Sequence, residues 1–337
     1  MSRPMRGGAD KRWRRDKAKG RPRQVRAMLR EARPAWLTVT PREDQEYAKL
    51  KGLFGELGLH TVCEEARCPN MHECWGSGTA TIMLLGDVCS RACRFCMVKA
   101  GKPNGLVDRF EPEHVAYALS KMKLSYVVLT SVDRDDLPDG GASHFARTIT
   151  EVKRRSPGIM VEVLIPDFQN DIDMLRTVVS AGPDVVAHNI ETTMFLTAKV
   201  RDPRAGYWQS LSVLRNVKKL DGRMMTKSSI MVGLGEEEEE VRLTMKHLRD
   251  AGVDFLTVGQ YLRPSRRHLP VAEYVSPERF DAYRAMGERM GFLYVASGPL
   301  VRSSYRAGEF FVRHQTCREQ PQTGTQRASS HTSVSIK

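Results

Sequence analysis

The sequence of 337 residues contains no long apolar run. No segment approaches the roughly 20 residues that a membrane-spanning helix needs, and the amino-terminal stretch lacks the apolar core of a secretory signal. No internal repeat is apparent, and the GLG at 233–235 lacks the third glycine of the dinucleotide-binding fingerprint. These absences argue against membrane-spanning, secreted, repeat and dinucleotide-binding proteins. They leave a chain long enough for one large core or two modest ones.

The formal net charge of +13 is concentrated at one end of the chain. Residues 1–33 hold thirteen Lys or Arg against three acids, which leaves about +3 for everything else. Such a stretch is typical of a disordered, solvated arm, with weak RNA or membrane-surface binding or an organelle-targeting peptide as alternatives. We therefore predict a basic disordered tail at 1–35 and a polar, Ser/Thr-rich one at 312–337. Cys317 lies in the second tail and is assigned no role.

Six of the seven cysteines form two close triads, namely Cys63, Cys68 and Cys74, then Cys89, Cys93 and Cys96. Three thiolates within a short stretch can converge on one soft metal centre. Iron–sulfur cubanes take four thiolates, so each triad leaves one position open. Zinc is the main alternative, but no partner Cys-x-x-Cys or spaced His pair accompanies the second triad. A disulfide framework is disfavoured by the odd number of cysteines and the missing secretory signal.

The spacing Cys89-x3-Cys93-x2-Cys96 resembles the signature of radical S-adenosylmethionine (SAM) enzymes. The resemblance implies that the three thiolates hold three irons of a 4Fe–4S cubane while the fourth iron chelates the amino and carboxylate groups of SAM. One electron from the reduced cluster then yields a 5′-deoxyadenosyl radical. Phe95, directly before the third cysteine, matches an aromatic residue that this superfamily places near the adenine; simple packing is the alternative.

The first triad lies in HTVCEEARCPNMHECW, and both the spacing of its cysteines and the residues between them resemble the lipoyl synthase family. In that family the triad holds a second 4Fe–4S cluster, whose fourth ligand is a serine of an RSSY segment. The corresponding segment here is VRSSYRAGEF, and we favour Ser304 over Ser303 as the ligand. The resemblance further implies that this auxiliary cluster is consumed as the sulfur source. A hydroxyl that caps a loop is the alternative for the serines.

The resemblance covers about residues 36–311. It includes TSVDRDDLPDGGASHF, VEVLIPDF, AHNIET, VRDPRAGYWQSL, TKSSIMVGLGE and LTVGQYLRPSRRHLPV. We place an extension with the auxiliary-cluster cysteines at 36–78 and a radical SAM domain, which ends in the RSSY segment, at 79–311. Within it β-branched runs alternate with helical patterns, which predicts an α/β fold of parallel strands with crossover helices, curled into a partial (β/α) barrel.

Polar residues follow or end four neighbouring predicted strands. Because active sites of such sheets form at the carboxyl ends of strands, we expect these residues to surround one bound molecule. They are the second cysteine triad after the first strand, Thr130, Ser131 and Asp133 after the second, Glu162 in the third, and Asn189 with Glu191 at the end of the fourth.

The family resemblance suggests which part of the SAM molecule each of these residues would contact. Thr130, Ser131 and Asp133 are candidates near its amino group, Glu162 and Asn189 near its ribose or carboxylate, and Arg201 is a positive partner. The alternative for each is a polar group that only satisfies loop backbone. Of the histidines, we single out His188 and His268 for testing.

The implied reaction inserts two sulfur atoms at unactivated carbons of an octanoyl chain, carried on a lysine of a lipoyl carrier domain. Implied partners are the acyltransferase subunit of a 2-oxo acid dehydrogenase or the glycine-cleavage H protein, and an electron donor such as ferredoxin or flavodoxin. No specific nucleic acid is expected, and the expected compartment is the bacterial cytoplasm or, alternatively, a mitochondrial or plastid matrix. Two alternatives stay open: a radical SAM methylthiotransferase that acts on tRNA, and a nucleic-acid-binding protein with structural clusters.

Overall fold

The computed structural model describes residues 33–37, 52–62, 70, 79–122 and 124–304. Within these ranges the chain alternates strands and helices. The strands are β1 His60–Thr61, β2 Thr79–Leu84, β3 Val88–Cys89, β4 Lys99–Ala100, β5 Tyr126–Ser131, β6 Met160–Leu164, β7 Val185–Ala187, β8 Met225–Val232, β9 Phe255–Gln260 and β10 Tyr294–Gly298. The α-helices are α1 Glu111–Met122, α2 Ala142–Arg155, α3 Ile172–Ser180, α4 Thr197–Val200, α5 Tyr207–Leu220, α6 Glu238–Asp250 and α7 Pro277–Arg289.

Eight of the strands form one sheet in the order β1-β2-β5-β6-β7-β8-β9-β10. From β2 onward every neighbouring pair is parallel, and only β1 runs antiparallel at its edge. Parallel neighbours require a crossover, which the helices provide. The predicted α/β fold with parallel strands and crossover helices is therefore confirmed.

The ends of the helices follow from local chemistry. Asp171 begins α3 because its carboxylate accepts from the amides of Asp173 and Met174. Ser276 begins α7 by accepting from the amide of Arg279, and Pro277 lies in the first turn, where its missing N–H costs nothing. None of the helices that the structure describes is long and apolar enough to cross a membrane.

The sheet curls, as expected for a partial barrel. Tyr126 and Val128 of β5 belong to one buried cluster with Tyr294 and Ala296 of β10, although these strands are far apart in the sheet order. On the same inner side, Lys227 Nζ of β8 lies 2.9 Å from Glu162 Oε1 of β6. The inner face of the sheet is thus partly polar, while its outer face packs against the helices in two large apolar clusters.

Candidate active site

The second cysteine triad lies on a loop at the carboxyl end of β2. Backbone bonds fix this cysteine loop, residues 89–96, from several sides: Ser90 N donates to Asp133 O, Arg94 N donates to Val200 O, and Gly101 N donates to Cys89 O, each at 2.9 Å. The loop is therefore attached both to the segment after β5 and to the end of α4.

The three thiols are partly buried and electrostatically coupled. Burial raises the pKa of Cys89 and of Cys93 to about 11 and that of Cys96 to about 12, and the charge of Cys93 raises the other two further. Amide groups offset part of this effect, since Arg91 N donates to Cys89 Sγ at 3.4 Å and Asp202 N donates to Cys93 Sγ at 3.3 Å. Metal binding by such thiols must release protons.

Among the described residues, no group of three or more His, Cys, Asp or Glu side chains converges as a single metal ion would require. A cubane instead binds each thiolate through a different iron. The coupled thiols of one loop are suited to that arrangement.

Asp133 lies next to the first thiol, with Oδ2 3.7 Å from Cys89 Sγ. Burial raises its pKa to about 6, although the positive charge of Arg91 lowers it in part. The carboxylate belongs to the loop after β5, so this contact joins the second strand's loop to the cysteines, as the sequence predicted for neighbouring strand ends.

Three of the predicted SAM-binding residues carry buried polar atoms that lack a hydrogen-bond partner within the described chain: Ser131 Oγ, Asn189 Oδ1 and Arg201 Nε. Buried polar groups are normally paired, so such atoms need an explanation. Arg201 also lowers the pKa of Cys93 through its charge, which places it near the cysteine loop. A hydroxyl, an amide oxygen and a guanidinium are suited to the hydroxyl, amino and carboxylate groups of SAM.

Three other residues that were predicted to contact SAM already have partners within the protein. Thr130 Oγ1 donates to Leu164 O at 2.9 Å. Glu162 is 1% exposed and accepts from Lys227 and from the Tyr126 hydroxyl. Phe95 packs against an apolar cluster around Val200, Leu234, Tyr261 and Leu269. Each has a structural role, and a contact with a bound ligand would be additional to it.

The segment that carries Ser303 and Ser304 crosses the carboxyl end of β9. Its backbone comes so close that a Cβ on Gly259 would lie 2.1 Å from Val301 O. Asn70 Nδ2 also donates to Leu300 O at 2.5 Å. Cys63, Cys68 and Cys74 lie outside the described residues, but Asn70 stands between the last two of them in the sequence.

The two histidines chosen for testing have different surroundings. His268 Nε2 lies 2.9 Å from Cys96 O and so supports the cysteine loop. His188 is buried, with Nδ1 2.9 Å from Ile165 O and Nε2 2.9 Å from Ser210 Oγ. Burial, with the nearby charge of Arg201, lowers the pKa of His188 to about 4.

The sequence reasoning missed the ion pairs and the carboxylate that hold the cysteine loop. Asp202 accepts from Ala92 N at 2.9 Å, and Arg204 keeps the pKa of this carboxyl well below its usual range. Arg91 forms ion pairs with Asp135 and Asp167. Asp202 could have been suspected because it follows Arg201, but nothing local distinguishes Arg91 from the exposed Arg94 three residues later.

Comparison with known proteins shows the family to which the chain belongs. The family model of the radical SAM superfamily matches residues 83–258, and that of the N-terminal domain of lipoyl synthase matches residues 4–68. The second match begins nearer the amino terminus than the motifs that carry the resemblance. A solved structure of HydG, a maturase of the FeFe-hydrogenase, has a TM-score of 0.50 at 16% identity over 82% of this chain and 59% of that one. This likeness concerns the fold alone.

Curated relatives are much more similar. Lipoyl synthase of Thermus thermophilus is 58% identical over 280 residues, which cover 83% of this chain and 87% of that protein. Lipoyl synthase of Myxococcus xanthus is 57% identical, covering 83% and 94%. The human mitochondrial lipoyl synthase is 54% identical, covering 83% and 77%.

The parallel sheet with a Cys-x3-Cys-x2-Cys loop at its carboxyl edge defines a radical SAM enzyme, which implies a 4Fe–4S cluster and SAM as cofactors. Within that superfamily, the chain belongs to the lipoyl synthase family of sulfur-inserting enzymes. The comparisons do not favour the tRNA methylthiotransferase alternative.

Proposed function

We propose that this enzyme inserts two sulfur atoms into an octanoyl chain on a carrier lysine, using two 4Fe–4S clusters that face one cavity. The observation that carries the proposal is the position of the unpartnered buried atoms of Ser131, Asn189 and Arg201 at the carboxyl edge of the sheet, where the cysteine loop also lies. A site built of buried donors and acceptors without protein partners is suited to a polar ligand.

The proposed SAM cluster is held by Cys89, Cys93 and Cys96. SAM bound there would supply a carbon radical strong enough to remove hydrogen from an unactivated carbon, which no side chain can do by acid–base chemistry. The protein's task is to hold and orient the ligand and to exclude water. Ser131 and Asn189 would bind its polar groups.

Charged and apolar residues complete this site. Arg201 would balance negative charge beside Cys93, as its effect on the pKa of that thiol indicates. Asp133, with Thr130 behind it, would face the amino group. Phe95 would contribute its apolar ring near the adenine, and Glu162 would support the site from inside the sheet.

The proposed auxiliary cluster is held by Cys63, Cys68, Cys74 and Ser304. The hydrogen bond from Asn70 to Leu300 O supports this set, because it joins the neighbourhood of the first triad to the segment that carries the serine. An alkoxide is a harder ligand than a thiolate and suits iron of such a cluster less well. A cluster with one weak ligand is easier to dismantle, as a sulfur donor must be.

The proposed partners are an octanoylated carrier domain, either of a 2-oxo acid dehydrogenase acyltransferase or of the glycine-cleavage H protein, and a ferredoxin or flavodoxin as electron donor. For the compartment we propose the bacterial cytoplasm, with an organelle matrix as the alternative. The relatives include bacterial and mitochondrial proteins, which is compatible with both.

Anaerobic reconstitution with an octanoyl-lysine peptide, SAM and dithionite tests the proposal by mass spectrometry. The expected product carries two added sulfur atoms. Cys93→Ala should abolish SAM cleavage, whereas Cys68→Ala should retain cleavage and lose lipoyl formation. Lipoyl formation by the Cys68 variant would refute the sulfur-donor role, and SAM cleavage by the Cys93 variant would refute the proposed site of the first cluster.

A further inference from the structure

Arg91 lies in the middle of the cysteine loop, two residues from Cys89 and two from Cys93, yet its side chain is only 3% exposed. Its guanidinium is forked onto two carboxylates. Nε and Nη2 donate to the two oxygens of Asp135 at 2.9 and 2.8 Å, and Nη1 and Nη2 donate to those of Asp167 at 2.6 and 2.8 Å. One side chain thereby joins the cysteine loop to the loops after β5 and β6.

Asp167 is held in place by unusual backbone. The three residues after it, Phe168, Gln169 and Asn170, have φ values of 44°, 52° and 62°, a region that residues other than glycine rarely adopt. Phe168 packs edge-on against Phe145 in the core at 6.3 Å, and Gln169 N donates to the Asp167 carboxylate at 2.9 Å. Strain of this kind persists only where the surroundings enforce it, and this turn directly follows the carboxylate that accepts from Arg91.

Asp135 is also fixed from several directions. Ser90 Oγ donates to it at 2.8 Å, and Arg204 Nη1 donates to it at 3.0 Å. Ser90 belongs to the cysteine loop, so the loop reaches this carboxylate through two successive side chains. The hydrogen bonds of Ser90 and Arg91 to Asp135 therefore restrain the backbone between the first two cysteines.

The charges matter as well as the geometry. Asp133 is a third carboxylate near Arg91, with Oδ1 3.4 Å from Nη1. A cubane bound by three thiolates is anionic, and its reduction adds a further negative charge. Net charge near a cluster is one of the factors that set its reduction potential. Arg91 is the positive charge shared by these three carboxylates beside the loop.

We propose that Arg91 is a positioning residue for the SAM cluster: it clamps the cysteine loop onto the loops after β5 and β6 and makes the cluster easier to reduce by neutralising the carboxylates around it. The proposal rests on the proposed function of Cys89, Cys93 and Cys96. The two parts can be separated, because a lysine keeps the charge but cannot fork onto two carboxylates.

The variants are Arg91→Lys, Arg91→Gln and the double variant Arg91→Gln with Asp167→Asn, which removes one charge of each sign. Arg134→Gln is the matched control. The Arg134 side chain is 1% exposed and forks onto Asp136 at 2.9 and 3.0 Å, but it lies outside the cysteine loop. Each full-length protein is reconstituted anaerobically, analysed for iron and sulfide, and titrated potentiometrically by EPR with and without SAM.

Arg91→Lys should lower the iron bound at the SAM-responsive cluster while leaving its midpoint potential close to that of the wild type. Arg91→Gln should lower the iron content and move the potential to more negative values, and the double variant should recover part of both losses. Arg134→Gln should leave the potential unchanged. If Arg91→Gln binds no iron at this site, its potential cannot be measured, and the iron content of the double variant then tests the effect of charge: recovery of iron supports it.

Wild-type iron content in Arg91→Lys would overturn the clamp, and a wild-type potential in Arg91→Gln would overturn the effect of charge. An equal shift in Arg134→Gln, or no recovery in the double variant, would also overturn the effect of charge. A wild-type protein without any SAM-responsive EPR signal would refute the proposed function itself, a result that is distinct from all of these.

Discussion

The ion pair inside the sheet gives a prediction about stability. Lys227 Nζ lies 2.9 and 3.0 Å from the two carboxylate oxygens of Glu162, and each side chain is 2% exposed. The Tyr126 hydroxyl donates to the same carboxylate at 2.7 Å. Lys227→Met would leave this carboxylate buried without its cation. Removing one partner of a buried pair costs about 3–5 kcal/mol, a large share of the roughly 5–15 kcal/mol by which domains are usually stable.

Removing both charges should be much less harmful. Glu162→Gln combined with Lys227→Met keeps an acceptor for the Tyr126 hydroxyl and removes both charges of this pair together. We expect the double variant to be about 2 kcal/mol more stable than the sum of the single losses predicts. Urea unfolding followed by tryptophan fluorescence, with the slope m compared across the variants, measures the coupling.

The reasoning is that each of these two charges offsets the cost of burying the other. It would be refuted if the losses in the free energy of unfolding were additive, or if Lys227→Met lost less than about 1 kcal/mol. The same variants test the second role predicted for Glu162. If its carboxylate also contacts SAM, the double variant should recover stability without recovering SAM affinity, which calorimetry with the reconstituted protein measures.

Two further predictions concern the edges of the site. Gly259→Ala should displace the carboxy-terminal segment, because the new Cβ would meet Val301 O at 2.1 Å, and should reduce lipoyl formation more than SAM cleavage; Gly158→Ala, which has open space, is the control. Equal effects of the two alanines would contradict this. His188 should titrate near pH 4 by NMR, because burial favours its neutral form. Because the unfolded chain binds this proton more readily, the free energy of unfolding should fall by about 3 kcal/mol as the pH drops from 6.5 toward 4, with no such loss above pH 6.5. Titration of His188 near the ordinary 6.5 would contradict the burial argument.

Local periodicity predicted much of the fold. β2, β5 and β9 are the kind of run from which parallel strands were predicted, because each is short, largely apolar and bounded by turn residues. β7 is short and ends at Ala187, since the polar residues after it turn into the site. The positions of polar residues at strand ends also predicted that Asp133 lies near the cysteines.

The ion pairs could not be predicted in this way. Arg91 and Asp167 are 76 residues apart, and no pattern near either one specifies the other. Glu162 was expected at the ligand because it lies in a strand that leads to the site. Its partner within the described chain, Lys227, became apparent only from the curl that turns both side chains inward.

The bond between Asn70 and Leu300 has a consequence for biosynthesis. The two residues are 230 positions apart, so this contact can form only when nearly all of the described chain has left the ribosome. The contacts that hold the cysteine loop are complete once residue 269 has emerged. A nascent chain can thus complete these contacts of the cysteine loop before it can form the bond beside the proposed auxiliary cluster, so we expect the proposed SAM cluster to be the first that the chain can accommodate.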